Sequence, residues 1–144
     1  MTMINSLARR RAGLPASGDL TLDQIKTLRL MLLTEACAAA ITGGFISAAL
    51  GMPHTYPSKA TDQTNLSGSV LKSMMAGSMA GWITGFACAD EMGVWADRDH
   101  TATQIQQVGL DLFAWVEACR AKLKTLATAL AAAGTVAEAE AVVW

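Results

Sequence analysis

Charge is scarce in this sequence. Asp, Glu, Lys and Arg make up 16% of its 144 residues while 52% are apolar, against a charged share of about 25% in ordinary soluble domains. Part of the surface is therefore expected to be covered by something other than water. Cysteine is also sparse: Cys37, Cys88 and Cys119 are odd in number and far apart, which leaves no disulfide framework and no zinc spacing. Each sits among apolar neighbours and reads as a small buried hydrophobe. A net charge of −1 and a pI near 6.1 argue against a strongly basic nucleic-acid binder. The apolar content argues against disorder. There is no phosphate-cradling loop, since Gly77, Gly81 and Gly85 follow no strand pattern and precede no lysine.

What is present suits helices. Alanine supplies 27 residues, the best helix former but a poor filler of cores. The length fits one domain able to bury roughly 68–70% of its unfolded surface. Arg9, Arg10 and Arg11 precede Gly13, Pro15 and Gly18 instead of an apolar run, which is not a secretory signal. Residues 1–20 read as an N-terminal arm and 21–144 as a single domain. Between Arg29 and Lys59 the only charge is Glu35, and Ser73 to Ala89 is a second uncharged run carrying Gly77, Gly81 and Gly85 at the small-residue spacing of transmembrane packing. Both lengths invite a membrane hairpin. The central Glu35, the Gly43-Gly44 pair and the lack of aromatic and basic anchors speak for burial in a protein assembly instead.

Along the chain, Thr21-Leu22-Asp23-Gln24 has the form of a capping box. The helix it starts carries Leu22, Ile25, Leu28, Leu32 and Ala36 on one stripe. Leu30, Met31 and Leu33 widen that stripe to nearly the whole circumference, which marks a helix buried on all sides. Gly43 and Gly44 end it. Phe45 to Ser58, with Gly51, Pro53 and Pro57, reads as an ordered loop. A weaker helix begins at Thr61 or Asp62. Phe86 to Ala89 and Val94 to Asp97, joined by Asp90-Glu91-Met92-Gly93, form a small hairpin with a type I turn. A second capping box, Thr101 to Gln104, opens the strongest pattern: Ile105, Val108, Leu112, Val116, Cys119, Leu123, Leu126 and Leu130 recur at three and four, a helix of about 30 residues and roughly 45 Å. Thr135 caps a last short helix, and Trp144 is expected to dock on something. The fold class expected is mainly α, a helical domain with one long C-terminal helix and a small β-hairpin.

Chemistry is thinly represented. His100 lies beside Asp97, Arg98 and Asp99, without the oriented nucleophile a hydrolase needs; Asp99 and Thr101 read better as cap candidates for the long helix. His54 and His100 have no carboxylate partner at metal spacing. Trp82, Trp95, Trp115 and Trp144 suit packing or an interface. No catalytic residue, metal or cofactor is expected. Arg9, Arg10, Arg11, Leu30, Leu33, Leu112, Val116, Leu123, Leu126 and Trp144 are the candidate interface residues.

Two blocks, Gly51 to Leu66 (GMPHTYPSKATDQTNL) and Cys88 to Ile105 (CADEMGVWADRDHTATQI), resemble an uncharacterised domain of tailed-bacteriophage and prophage tail proteins, often at the C-terminal end of tail-fibre or tail-fibre-associated proteins. The resemblance spans Asp23 to Trp144. The sequence departs from that pattern at Gly85, where proline is expected, at Ala87, where a bulky aromatic is expected, and at Asp97, where an aromatic is common. The resemblance implies a non-enzymatic virion protein of the tail, tail fibre or baseplate, made in the host cytoplasm. Its partners would be itself, as a homo-oligomer, and other phage structural proteins, with neither nucleic acid nor membrane. A tail-fibre assembly chaperone and a small helical-hairpin membrane protein are the alternatives.

Overall fold

The computed structural model describes residues 6–76 and 78–144. In chain order these form α1 (Ser6–Arg11), α2 (Leu22–Thr42), β1 (Phe45–Ser47), β2 (His54–Tyr56), α3 (Ala60–Ala76), β3 (Ile83–Ala89), β4 (Trp95–Thr101), α4 (Ala102–Ala132) and α5 (Val136–Ala141). The chain divides into two compact units, one of residues 1–38 with 120–144 and one of residues 39–119.

The first unit is helical. Reciprocal bonds between Thr21 and Gln24 start α2, with the Gln24 side chain accepting from the Thr21 N–H and the Thr21 hydroxyl from the Gln24 N–H. Its core joins Ala8 of α1, Leu20, Ile25, Leu28 and Leu33 to Leu130, Ala133 and Ala139. Residues 1–5 of the expected arm lie outside the described residues; from Ser6 the segment is α1, and Ala8 is buried. Leu28 has no exposed surface, whereas Leu30 is 46% exposed. The α2 helix is thus buried on one side and not around its whole circumference. Trp144 packs against this core beneath Lys122, whose ammonium sits 4.5 Å from the ring centroid. A capping box between Thr135 and Glu138 holds α5.

The second unit overturns the mainly helical expectation. The protein is mixed α and β, with five helices and a four-stranded antiparallel sheet in the order β1-β2-β3-β4 among the described residues. The expected hairpin is its β3–β4 half, paired from Ile83↔Thr101 to Ala89↔Trp95. The segment read as a loop supplies the other half, with Phe45↔Tyr56 and Ser47↔His54 in register and Thr55↔Ala89 joining the halves. Strands of three residues are too short to show alternation in a sequence, and their glycine and proline neighbours pointed the other way. Their burial nonetheless alternates: Phe45, Ser47 and Tyr56 point inward while Ile46 and Thr55 are exposed. The core beneath the sheet consists of Phe45, Tyr56, Leu66, Phe86, Cys88, Ile105, Val108 and Leu112, with Phe45 and Tyr56 stacked at 5.6 Å.

The α3 and α4 helices run antiparallel over this core. Ser73 Oγ accepts from Gln106 Nε2 at 2.9 Å, and a Cβ on Gly109 would stand 2.9 Å from Val70 Cγ2, so glycine permits the close approach. Ser58, 1% exposed, donates to the Ile41 carbonyl and accepts from the Gly44 N–H, fastening the end of α2 to the start of β1. Gly44 has φ +100, with the Tyr56 carbonyl 3.1 Å from where a Cβ would be. Gly44→Ala is expected to lower stability by about 1–3 kcal/mol through backbone strain, measured by urea unfolding.

Candidate functional site

The most solvent-accessible apolar chemistry lies on the second unit. Leu71, Met74 and Met75 of α3 are 58–79% exposed, as are Leu110 and Phe113 of α4. Spacings of three and four put each set on one side of its helix. The two helices meet at Val70, Ser73, Gln106 and Gly109, and both sets lie outside that contact.

A second apolar patch is the tip of the β3–β4 hairpin, where Met92, Val94 and Trp95 are exposed among Glu91, Asp97 and Asp99. Local chemistry fixes this tip. Asp90 Oδ1 accepts from the N–H groups of Met92 at 2.9 Å and Val94 at 3.0 Å, Gly93 takes the left-handed turn position at φ +78, and Arg98 Nη2 donates to Asp90 Oδ2 at 3.1 Å. The bond from the Val94 N–H, helped by the Met92 N–H and Arg98, holds the Asp90 carboxyl below the usual carboxylate range against its partial desolvation. Arg98 also donates to the carbonyls of Cys88 and Val94, so the hairpin's one cation is engaged internally. Asp90→Ala is expected to release Arg98 and to speed amide exchange at Met92 and Val94, read by NMR. Gly85 and Asp97, both departures from the resembled pattern, touch: a Cβ on Gly85 would lie 2.7 Å from an Asp97 carboxylate oxygen.

The histidine singled out by sequence is not part of an open catalytic cluster. His100 is fully buried; its Nε2 lies 2.8 Å from the Tyr56 hydroxyl and its Nδ1 2.8 Å from the Arg98 carbonyl. A carbonyl only accepts, so Nδ1 carries the proton and Nε2 accepts from Tyr56. Burial holds the imidazole below its ordinary pKa and pushes the Tyr56 phenol up, with the Cys88 thiol adding to that rise. A neutral histidine that is harder to protonate when folded makes the unfolded state the stronger proton acceptor. Its contribution is therefore complete above about pH 6.5 and declines as pH falls from there toward the depressed folded value. Urea midpoints at neutral and mildly acidic pH are expected to show this loss, and His100→Gln is expected to flatten it.

His54 points its Nδ1 at the Met52 carbonyl, 2.8 Å away. Among the described residues no group of three His, Cys, Asp or Glu is placed to hold a metal ion. Two open grooves lie among the described residues of the second unit. One, of about 570 Å³, separates the polar side of α3 at Asn65, Ser69 and Lys72 from Gly85 and Ala87 of β3, where β3 has no strand beside it because β2 meets it only at Ala89. The other, of about 530 Å³, lies between β1 at Phe45 and Ile46 and α4 at Ala114, Trp115 and Ala118. Trp115 donates to the Ala40 carbonyl at its rim.

The candidate interface residues from the sequence are mostly internal. Leu33 is buried in the first unit, with Leu123, Leu126 and Trp144 partly buried around the same core, while Leu112 and Val116 pack in the second. Of the arginines, Arg9 donates to the Gly18 carbonyl and Arg11 pairs with Glu35 at 3.1 Å. Leu30, Arg10 and Arg11 are on the surface. Sequence reasoning missed the exposed set on α3, α4 and the hairpin, although its signal was available. Leu110 and Phe113 fall off the stripe that runs through Val108 and Leu112.

A family model described as "Domain of unknown function (DUF4376)" matches residues 24–143. No curated protein and no solved structure matches the chain.

Proposed function

The chain belongs to the DUF4376 family, and we propose that it is a non-enzymatic structural component of a tailed-phage particle, in the tail, tail fibre or baseplate, acting by assembly with itself and other phage structural proteins. The observation that carries this reading is the exposed apolar surface of the second unit, with Phe113, Leu110 and Met74 on the helices and Trp95 and Met92 on the hairpin. Large side chains grouped in this way mark surfaces that another protein covers. The resemblance of the Gly51 to Leu66 and Cys88 to Ile105 blocks to phage tail proteins supplies the setting. The buried pair Tyr56 and His100 is sealed from solvent, which suits packing better than turnover. No helix among the described residues is long and apolar enough to cross a membrane, which leaves the apolar patches to protein partners in this reading.

An affinity-tagged copy isolated from cells producing the phage tests the reading. The tagged protein is expected to co-purify with tail structural proteins. Recovery alone, from a lysate in which tails have assembled, would overturn it. Recovery with a fibre in cells but not in finished particles would replace it with the chaperone reading.

A further inference from the structure

We propose that copies of this chain join head to tail, the outer face of β4 in one copy, with its row Trp95, Asp97 and Asp99, receiving the exposed stripe Arg120, Lys124 and Thr128 on α4 of the next. This rests on the assembly reading and names the partner and the surface. Charge is distributed unevenly along the chain. Residues 1–38 with 120–144 carry eight bases against five acids, and residues 39–119 carry three bases against seven acids. The unit with the acidic excess also carries β4, the end strand of the sheet, which presents its acidic row on the sheet's outer face.

Along β4, Trp95, Asp97 and Asp99 alternate with Arg98 and His100 and are exposed. Arg98 is consumed by Asp90. The Asp97 carboxylate lies over Gly85 of β3, in the groove that Lys72 of α3 also lines, and neither Asp97 nor Asp99 belongs to an ion pair found among the described residues. On α4, Arg120 and Lys124 are exposed one turn apart and belong to neither ion pair found among the described residues.

The spacings match. Residues two apart on a strand are separated by about 6.7 Å and residues four apart on a helix by about 6 Å. Arg120 can therefore face Asp99 while Lys124 faces Asp97. The next step brings Trp95, 55% exposed, onto Thr128 with Ala127 and Ala131 beside it, side chains small enough to seat an indole. The alternative of two β4 edges pairing about a two-fold axis at Arg98 would set Asp97 against Asp99 of the other copy, and directly opposed like charges destabilise a strand pair. A contact between different surfaces closes a ring or extends a filament, both of which suit a tail.

Sedimentation velocity on the purified full chain tests this, comparing wild type, Asp97→Lys with Asp99→Lys, Arg120→Glu with Lys124→Glu, and all four changes together. The wild type is expected to associate at about 50 mM salt and to weaken at about 500 mM, as partly exposed ion pairs do. Either reversed pair is expected to weaken association at least tenfold, and the four-fold variant to recover it. Circular dichroism checks folding. If a reversed pair fails to fold, Trp95→Ser and Asp97→Asn with Asp99→Asn make the same comparison. A monomeric wild type at low salt would overturn the proposal, as would association unmoved by the substitutions. In the latter case the assembly reading would stand on another surface, whereas co-isolation with tail proteins tests that reading separately.

Discussion

Tyr56→Ala is expected to cost the fold about 4–8 kcal/mol, much of the 5–15 kcal/mol by which domains are usually stable. Two losses combine. Tyr56 has no exposed surface and contacts Phe45, Phe86 and His100, and deleting a buried aromatic ring costs about 3–5 kcal/mol. The same change leaves His100 Nε2 buried without its donor, a penalty of about 1–3 kcal/mol. Tyr56→Phe separates them, since it keeps the ring and removes only the hydroxyl; its expected cost is the smaller figure alone. Urea unfolding of both variants beside wild type measures the difference. Equal losses would mean that the hydrogen bond, and not the ring, holds the second unit's core.

Leu28→Asp is the second large effect. Leu28 is fully buried among Ile25, Leu33, Leu130 and Ala139, with no cation among those neighbours to meet a carboxylate. Leu28→Ala alone is expected to cost about 2–5 kcal/mol by opening a cavity. The aspartate adds the desolvation of a polar group, several kcal/mol more, and is expected to abolish protection of α2 and α5 in hydrogen exchange. Leu123→Asp should be milder because Leu123 is only partly buried beside the same core, so the new carboxylate keeps part of its hydration. Protection retained in the Leu28→Asp protein would contradict the assigned core.

The features that local chemistry determines were legible in the sequence. The pairs Thr21 with Gln24, Thr101 with Gln104 and Thr135 with Glu138 each form the reciprocal cap bonds their spacing implies. The long apolar period is α4, and Asp90 to Gly93 is the hairpin turn. The features that were not legible depend on distant residues. β1 and β2 are strands because Phe45 and Tyr56 stack over Leu66 and Ile105 and because Thr55 reaches Ala89, and three residues carry no period to announce it. His100 read as part of a helix junction, yet its partner is 44 positions away, and no local pattern links them. The α2 helix read as buried throughout because Leu30, Met31 and Leu33 are all apolar, but apolar identity does not say which of them finds a neighbour. In the same way, counting apolar stripes directed attention to residues that fill the cores, while the side chains left outside, Leu110, Phe113 and Trp95, are the ones available to a partner.

The central claim, that this protein works by being built into a phage particle, is tested most directly by quantitative mass spectrometry of gradient-purified particles beside the lysate they came from. The expected result is the protein in the particle fraction at a fixed ratio to the tail proteins. Abundance in the lysate with none in intact particles would contradict it.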